Sequence, residues 1–154
     1  MNSRKKVIFL VVLIMVSGFG REFIMKNINW VIKYLTQGGG YWSQKMFDPL
    51  LSWSLGELEV LKWVLTIAFT IYFYSLTRLT IKLIFPNNKY FLSITTISFL
   101  SLVSISFLLT IIAWLSDCLA IFYPIIRNLM GIAQSFVPLM VLYLIFKFLP
   151  QKKA

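Results

Sequence analysis

The sequence REFIMKNINWVIKYLT, residues 21–36, combines the hydrophobic spacing of an α-helix with a polar opposite face. At 100° per residue, aliphatic side chains share one arc and polar side chains share the arc opposite. The aliphatic arc consists of Ile24, Met25, Ile28, Val31, Ile32 and Leu35. The polar arc consists of Glu22, Lys26, Asn29, Lys33 and Thr36, and the aromatic flank of Phe23, Trp30 and Tyr34. The stretch predicts an amphipathic helix over 22–36 that lies at a membrane interface or covers a partner.

The composition around this helix is that of a small integral membrane protein. The 154 residues are 59% hydrophobic and 13% charged, whereas soluble domains carry about 25% charged residues, and the mean hydropathy is +0.82. The length favours one bundle without a second domain. The formal net charge is +10. Because the basic residues flank apolar runs, we attribute them to membrane topology and expect no nucleic-acid partner.

The chemical inventory excludes several kinds of active site. The chain has no histidine and one cysteine, Cys118. This excludes a histidine triad, a histidine or all-cysteine metal site and an internal disulfide. We interpret Cys118 as a small apolar residue near a helix end. The alternative is a reactive thiol, which usually needs a basic partner, whereas its neighbour is Asp117. We expect no metal, no cofactor and no enzymatic activity.

Residues 7–20 form the first apolar run, which is 14 residues long. A membrane span needs about 20 residues, and Gly18 and Gly20 have the spacing of a signal-peptide cleavage site before Arg21. The other interpretation is an uncleaved first span whose helix continues past Arg21. We expect the uncleaved form.

Three further apolar stretches predict spans at 58–79, 90–115 and 129–149. The stretch 90–115 carries no charge, and at 1.5 Å per residue it extends about 39 Å, enough to cross a bilayer with tilt. Pro138 predicts a kink near the middle of the last span. The expected fold class is all-α: one domain, 1–154, forming an integral membrane four-helix bundle with an outer-face amphipathic helix.

Glycine, proline and aspartate predict the connections. The glycines at 38–40 predict a flexible turn, and Asp48-Pro49 predicts the start of a short helix that ends near Gly56. The segment 86–88 is a strong turn signal, and Tyr123-Pro124 is expected to break the connection at 116–128. The aromatic residues expected to anchor the first connection at the interface are Trp42, Phe47 and Trp53.

The distribution of lysine and arginine predicts the orientation. Nine of the 15 basic residues lie on one side of the predicted spans, and six lie on the other side in longer loops. The nine are Arg4, Lys5, Lys6, Arg78, Lys82, Lys89, Lys147, Lys152 and Lys153. By the positive-inside rule this denser side is cytoplasmic. We therefore expect a membrane protein with both termini in the cytoplasm and the amphipathic helix on the outer face.

Charged and hydroxyl residues of the spans offer little chemistry. We expect no ionisable residue at mid-depth, which disfavours an ion-coupled transporter. Ser98, Ser101 and Ser104 share about 120° of arc and predict close helix packing, with a polar path as the alternative. An ion pair between Glu59 and Arg127 is conceivable, but ordinary interface charges are favoured.

The segment 127–135 brings Asn128, Gln134 and Ser135 to the outer interface. A polar cluster there is costly without partners. We expect it to bind the amphipathic helix, through Glu22, Asn27 or Asn29, or to bind a second protein. The residues predicted to form the interaction site are Arg21, Glu22, Asn27, Asn29, Trp30, Arg127, Asn128 and Gln134.

Two groups of short motifs resemble those of small multi-spanning membrane proteins associated with bacterial exosortases. They are Arg21-Glu22-Phe23 with Asn27 and Asn29, and Arg127 with Met130-Gly131 and Gln134-Ser135. The resemblance implies an accessory subunit of a membrane peptidase that processes the C-terminal anchor signals of exported proteins. The peptidase of such a system resembles an enzyme whose active site consists of a cysteine, a histidine and an arginine. Because histidine is absent from this chain, the resemblance implies a partner of the enzyme.

The expected function is a non-catalytic accessory or structural subunit of a bacterial membrane complex. Its expected partners are the lipid bilayer and another integral membrane protein. The alternative is a small oligomeric transporter or channel. A lipid-modifying enzyme using Glu59, Asp117 or Arg127 is disfavoured, because these groups have no recognisable acid–base spacing.

Overall fold

The computed structural model describes residues 3–38, 40, 43–86 and 88–149. Within these ranges every regular element is helical, so the predicted all-α class is confirmed. The α-helices are α1 (Ser3–Gln37), α2 (Leu55–Ile84), α3 (Lys89–Leu115), α4 (Leu119–Ala133) and α5 (Val137–Phe148), and a 3-10 helix (Lys45–Ser52) precedes α2. The predictions made for Gly39, Trp42, Asn87, Lys152 and Lys153 concern positions outside the described residues.

Helix α1 joins the first apolar run and the amphipathic stretch without a break. Its 35 residues extend about 52 Å, compared with about 30 Å for the hydrocarbon core of a bilayer. The helix ends at Gly38, whose φ of +67° is the left-handed cap that glycine adopts readily, and the Gly38 amide donates to the Tyr34 carbonyl at 3.0 Å. Residues 22–36 are therefore the second half of α1 and not a separate helix.

Two hydrophobic clusters pack the helices together. In one, the aliphatic arc of α1 contacts the 3-10 helix and the start of α2, through Ile28, Val31, Phe47 and Leu58. The other lies near the opposite end of α1 and consists of Ile14, Phe73, Leu76, Ile81, Phe91, Leu139, Leu142 and Phe146. Its Phe91 and Phe146 rings stack with centroids 4.2 Å apart. Most of the aliphatic arc thus packs within the chain, although Leu35 stays exposed.

Helices α1, α2 and α3 are each long and apolar enough to cross a membrane. Helices α4 and α5 meet at an angle of 60° and count as a fourth candidate span if the bent pair crosses together. The described residues therefore contain three or four candidate membrane spans. Helix α1 packs mainly on α2, and α4 packs mainly on α3, which leaves a groove between α1 and the α4–α5 pair.

The helices that contain the last predicted span begin earlier than predicted and are broken at a different position. Helix α4 begins at Leu119, ten residues before the predicted start, and it continues through Pro124. The break lies at 134–136, and Pro138 falls in the first turn of α5. Proline is tolerated there because an amide in the first turn has no helical acceptor. Most of the predicted connection at 116–128 is therefore helical.

The predicted short helix after Pro49 is also misplaced. The 3-10 helix begins four residues before Pro49, and Gly56 lies in the first turn of α2. Helix α2 starts at this point because Ser54 and Glu57 form a capping box. The Ser54 amide donates to Glu57 Oε2 at 2.7 Å, and the Glu57 amide donates to Ser54 Oγ at 3.3 Å.

The cluster between α1 and α2 predicts the effect of a truncation. Leu58 is fully buried, so Leu58→Ala should lower the free energy of unfolding by about 2–5 kcal/mol, the usual cost of removing a packed leucine. Leu55→Ala is the matched control, because Leu55 is 41% exposed, and its effect should stay within about 0.5 kcal/mol. Denaturant titration in detergent micelles, followed by tryptophan fluorescence, measures both values. Equal losses would contradict the packing described.

Candidate functional site

The site is built around Gln134, which follows the last residue of α4 and is 1% exposed. Its amide nitrogen donates to the Thr66 carbonyl and to Thr70 Oγ1, each at 2.8 Å. Its amide oxygen accepts from Arg21 Nε at 2.9 Å. A buried amide is costly unless it is hydrogen-bonded. This side chain therefore ties the break between α4 and α5 to both α1 and α2.

Local hydrogen bonds stabilise the break itself. The Gln134 amide still donates to the Met130 carbonyl at 3.0 Å, whereas Ser135 takes no part in either helix. The Ser135 hydroxyl donates to the Ile132 carbonyl at 2.8 Å and accepts from the Val137 amide at 3.1 Å. One hydroxyl thus satisfies a carbonyl at the end of α4 and an amide at the start of α5, groups that a helix end leaves unbonded.

Arg21 lies near the middle of α1, and its side chain is only 12% exposed. Besides its bond to Gln134, Arg21 Nη1 donates to Glu22 Oε2 at 2.9 Å. The guanidinium lies over Gly131 of α4, where an added Cβ would be 3.8 Å from Nη1. Its charge is compensated by a carboxylate and an amide oxygen.

The groove between α1 and α4 forms a cavity of about 850 Å³, which we call the α1–α4 groove. Its polar lining consists of Arg21, Glu22, Tyr123, Arg127, Asn128, Gln134 and Ser135, and its apolar lining includes Met15, Phe19, Ile132, Phe136 and Val137. A second cavity, of about 320 Å³, is lined by Asn29, Glu59, Lys62, Trp63 and Thr66 among others. The two cavities share Arg21, Tyr123 and Arg127.

Asn27 interacts with a different part of the chain from the one expected. It is 5% exposed, and its amide nitrogen donates to the Phe23 carbonyl at 2.8 Å. Its amide oxygen accepts from the Gln44 amide at 2.9 Å and from Ser43 Oγ at 3.2 Å. Asn27 therefore holds the segment before the 3-10 helix on α1 and makes no hydrogen bond with 127–135.

The other predicted residues divide between the two cavities and the surface. Arg21, Glu22 and Gln134 come together in the α1–α4 groove, beside the exposed Arg127 and Asn128. Asn29 is half-buried and lines the second cavity. Trp30 lies in neither lining, and its ring is covered by Lys33 Nζ at 5.4 Å. Glu59 and Arg127 both line the second cavity, and no ion pair within 4 Å joins them.

Several site residues were not predicted from the sequence. Thr66 and Thr70 bind Gln134, and Lys62 Nζ donates to the Tyr123 hydroxyl at 3.2 Å. The sequence feature that could have indicated Thr66 and Thr70 is their spacing of one helical turn in an otherwise apolar stretch. Such threonines can also bond to their own backbone, as Thr70 does to the Thr66 carbonyl at 2.7 Å. The pattern therefore did not identify their distant partner.

The polar groups of the site are guanidinium, carboxylate, amide and hydroxyl groups. In the part of the chain that the structure describes, no three His, Cys, Asp or Glu side chains are grouped to hold a metal ion. Comparisons with protein-family profiles, curated proteins and solved structures found no match to this chain. The site is therefore interpreted from its own geometry.

The Gln134 network predicts a loss of stability on substitution. Gln134→Leu leaves Arg21 Nε without its acceptor in a poorly solvated position, which should cost about 1–3 kcal/mol of unfolding free energy. Gln37→Leu is the control, because Gln37 is exposed at the end of α1, and its effect should be small. Denaturant titration in micelles provides the measurement. A Gln134→Leu variant as stable as the wild type would contradict a structural role for the network.

The Asn27 bonds predict a local change in hydrogen exchange. Asn27→Ala removes the acceptor of the Gln44 amide, so peptides covering 43–50 should exchange faster, by roughly tenfold at that amide. Asn27→Asp keeps an acceptor oxygen and should retain most of the protection. Asn29→Ala is the second control, because Asn29 takes no part in these bonds. Unchanged exchange in Asn27→Ala, measured by mass spectrometry, would refute this assignment.

Proposed function

We propose that the chain is a non-catalytic accessory subunit of a bacterial membrane complex, and that it contacts a transmembrane helix of another integral membrane protein through α3. The observation that carries the proposal is a pair of exposed serines, Ser101 and Ser104, on the outward surface of α3. Exposed apolar side chains surround them, including Ile97, Leu100, Ile105 and Leu108.

The hydroxyls of these two serines differ from those of Thr95, Thr96, Ser106 and Thr110 on the same helix. Thr95 and Ser106 are buried, and each donates to the carbonyl one turn before it, at 2.9 Å. The Ser101 and Ser104 hydroxyls form no hydrogen bond within the described ranges. An unbonded hydroxyl is unfavourable against lipid. A neighbouring helix would satisfy it, and small side chains let two helices approach closely.

The same surface bears on the transporter alternative. Ser101 and Ser104 are exposed on the outside of the helix array. They could therefore line a polar path only between two copies of the chain. A partner helix requires no such assembly, so the accessory subunit is the favoured function. A contact between copies is the outcome that would support the alternative.

The resemblance to exosortase-associated proteins supplies the first partner to test, a protein-sorting membrane peptidase. The chain contains no histidine, so a Cys-His-Arg peptidase would supply the catalytic groups itself. The proposal includes an inner-membrane location with both termini in the cytoplasm, which the dense basic residues on one side of the spans support.

Site-specific photocrosslinking tests the α3 surface in native membranes. A photoreactive phenylalanine analogue at position 101 or 104 should give one discrete heavier product that contains an integral membrane protein identified by mass spectrometry. The matched control is position 75, because Ser75 is an exposed serine of α2 whose hydroxyl already bonds to the Ile71 carbonyl at 2.8 Å. We expect no discrete product from position 75.

A second experiment asks whether the crosslinked contact holds the complex together. Ser101→Phe with Ser104→Phe should reduce recovery of the identified partner in mild detergent by roughly tenfold, because bulky rings separate the helices. Ser75→Phe should leave recovery unchanged. Products only between copies of the chain would support the oligomeric transporter instead, and a liposome flux assay would then follow. No discrete product at 101 or 104 would refute the proposal.

A further inference from the structure

The α1–α4 groove and the second cavity meet at three shared residues, Arg21, Tyr123 and Arg127. The Arg127 side chain is exposed at this junction and forms no hydrogen bond or ion pair with another described residue. The Arg21 guanidinium lies close enough to Arg127 for the two charges to repel each other. An unpaired arginine at a junction of two cavities is a position for an anion.

The charges around the junction leave a positive excess. Three cations line the two cavities, Arg21, Lys62 and Arg127, and two carboxylates accompany them, Glu22 and Glu59. Glu22 is already bound to Arg21. Lys62 lies against the Tyr123 ring, with Nζ 5.7 Å from its centroid. Because an arginine remains charged in any environment, an anion of charge −1 would neutralise the excess.

The depth of these groups matches the boundary of an apolar layer. Arg21 directly follows the apolar run 7–20, and Lys62 directly precedes the apolar part of α2. Arg127 lies seven residues before Gln134 on α4, or about two turns. The cationic groups therefore gather at one edge of the apolar segments, where lipid phosphates lie.

The remaining lining of the α1–α4 groove is suited to hydrocarbon. Met15, Phe19 and Ile132 follow the polar end along α1 and α4, and Val137 continues the wall onto α5. The cavity of about 850 Å³ is comparable with pockets that hold whole organic ligands, about 300–1,000 Å³, and far larger than a free phosphate requires. The ligand that matches this lining is an amphiphile, with a charged group at one end and an apolar chain beyond it.

We propose that the α1–α4 groove binds one phospholipid with a net negative headgroup. Its phosphate is bound by Arg127 together with Arg21 and Lys62, and an acyl chain lies along Phe19, Ile132 and Val137. The lipid fills the gap between α1 and α4 that protein packing leaves open. This site is separate from the α3 serine surface, so it can fail or succeed independently of the proposed function.

Native mass spectrometry of the purified full chain tests the proposal. With phosphatidylglycerol as the probe, the wild type should retain one lipid per chain at concentrations where phosphatidylcholine is released. Arg127→Gln should raise the dissociation constant for phosphatidylglycerol by roughly tenfold or more, because a charge-assisted contact is lost. Arg78→Gln, at an exposed arginine near the other end of α2, should leave that constant unchanged.

A second pair of variants tests the acyl channel while leaving all charges in place. Ile132→Trp puts a large ring into the groove and should reduce phosphatidylglycerol retention at least tenfold. Ile71→Trp, at an exposed isoleucine of α2, should not. The thermal unfolding midpoint of each variant in detergent identifies any that fail to fold, and Lys62→Gln then replaces a misfolded Arg127→Gln.

The outcomes distinguish the possible ligands. Equal retention of phosphatidylglycerol and phosphatidylcholine, or unchanged binding in Arg127→Gln, would overturn the proposal. Stabilisation by inorganic phosphate equal to that by phosphatidylglycerol would also overturn it, since the acyl chain would then contribute nothing. Binding of an acidic peptide without phosphatidylglycerol would assign the groove to a protein ligand instead.

Discussion

The structure depends on one buried amide. A helix break inside an apolar array exposes backbone groups that water cannot satisfy. Gln134 stands at that break, and its side chain makes three bonds to groups on two other helices. Because the amide needs both an acceptor and a donor, it fixes Arg21 of α1 and Thr66 of α2 relative to α4. Arg21 and Gln134 also line the same groove between α1 and α4.

The polar residues of the chain divide into two groups by their partners. Asn27 and Gln134 are buried and saturated by groups of the same chain, so they have little capacity for an outside ligand. Arg127, Ser101 and Ser104 are exposed and lack a hydrogen bond within the described segments. Under the two proposals above, Arg127, Ser101 and Ser104 contact other molecules, and these three residues contribute little to the fold.

The sequence predicted the elements that depend on local pattern. The charge-free run at 90–115 gives α3 almost residue by residue, and the aliphatic arc after Arg21 identifies the face of α1 that packs on Leu58. The predicted start of α4 was wrong because Pro124 was interpreted as a helix breaker. The segment around it is apolar and stays helical through Pro124. The break came instead at 134–136, where the Ser135 hydroxyl bonds to a carbonyl at the end of α4 and an amide at the start of α5.

The site was predictable only in part, for a similar reason. The cost of a polar cluster at 127–135 predicted a contact with the amphipathic stretch through Glu22, Asn27 or Asn29, whereas the hydrogen bond comes from Arg21, the residue before them. The bonds from Gln134 to Thr66 and Thr70 join residues 68 and 64 positions apart, respectively. No local period encodes such a pairing, and a threonine in an apolar helix has a bond available one turn away. Tertiary packing alone brings these groups together.

The continuity of α1 has a mechanical consequence. A helix that spans a bilayer changes its tilt when the hydrocarbon layer becomes thicker or thinner. No break separates the apolar half of α1 from the half beyond Arg21. Both halves therefore change their tilt together, as one rigid helix. Phe47 of the 3-10 helix packs on this second half of α1. Asn27 of α1 accepts a hydrogen bond from the segment just before the 3-10 helix. With α1 crossing a bilayer, a change in membrane thickness would therefore displace laterally the surface that α1 and the 3-10 helix form beyond the apolar run.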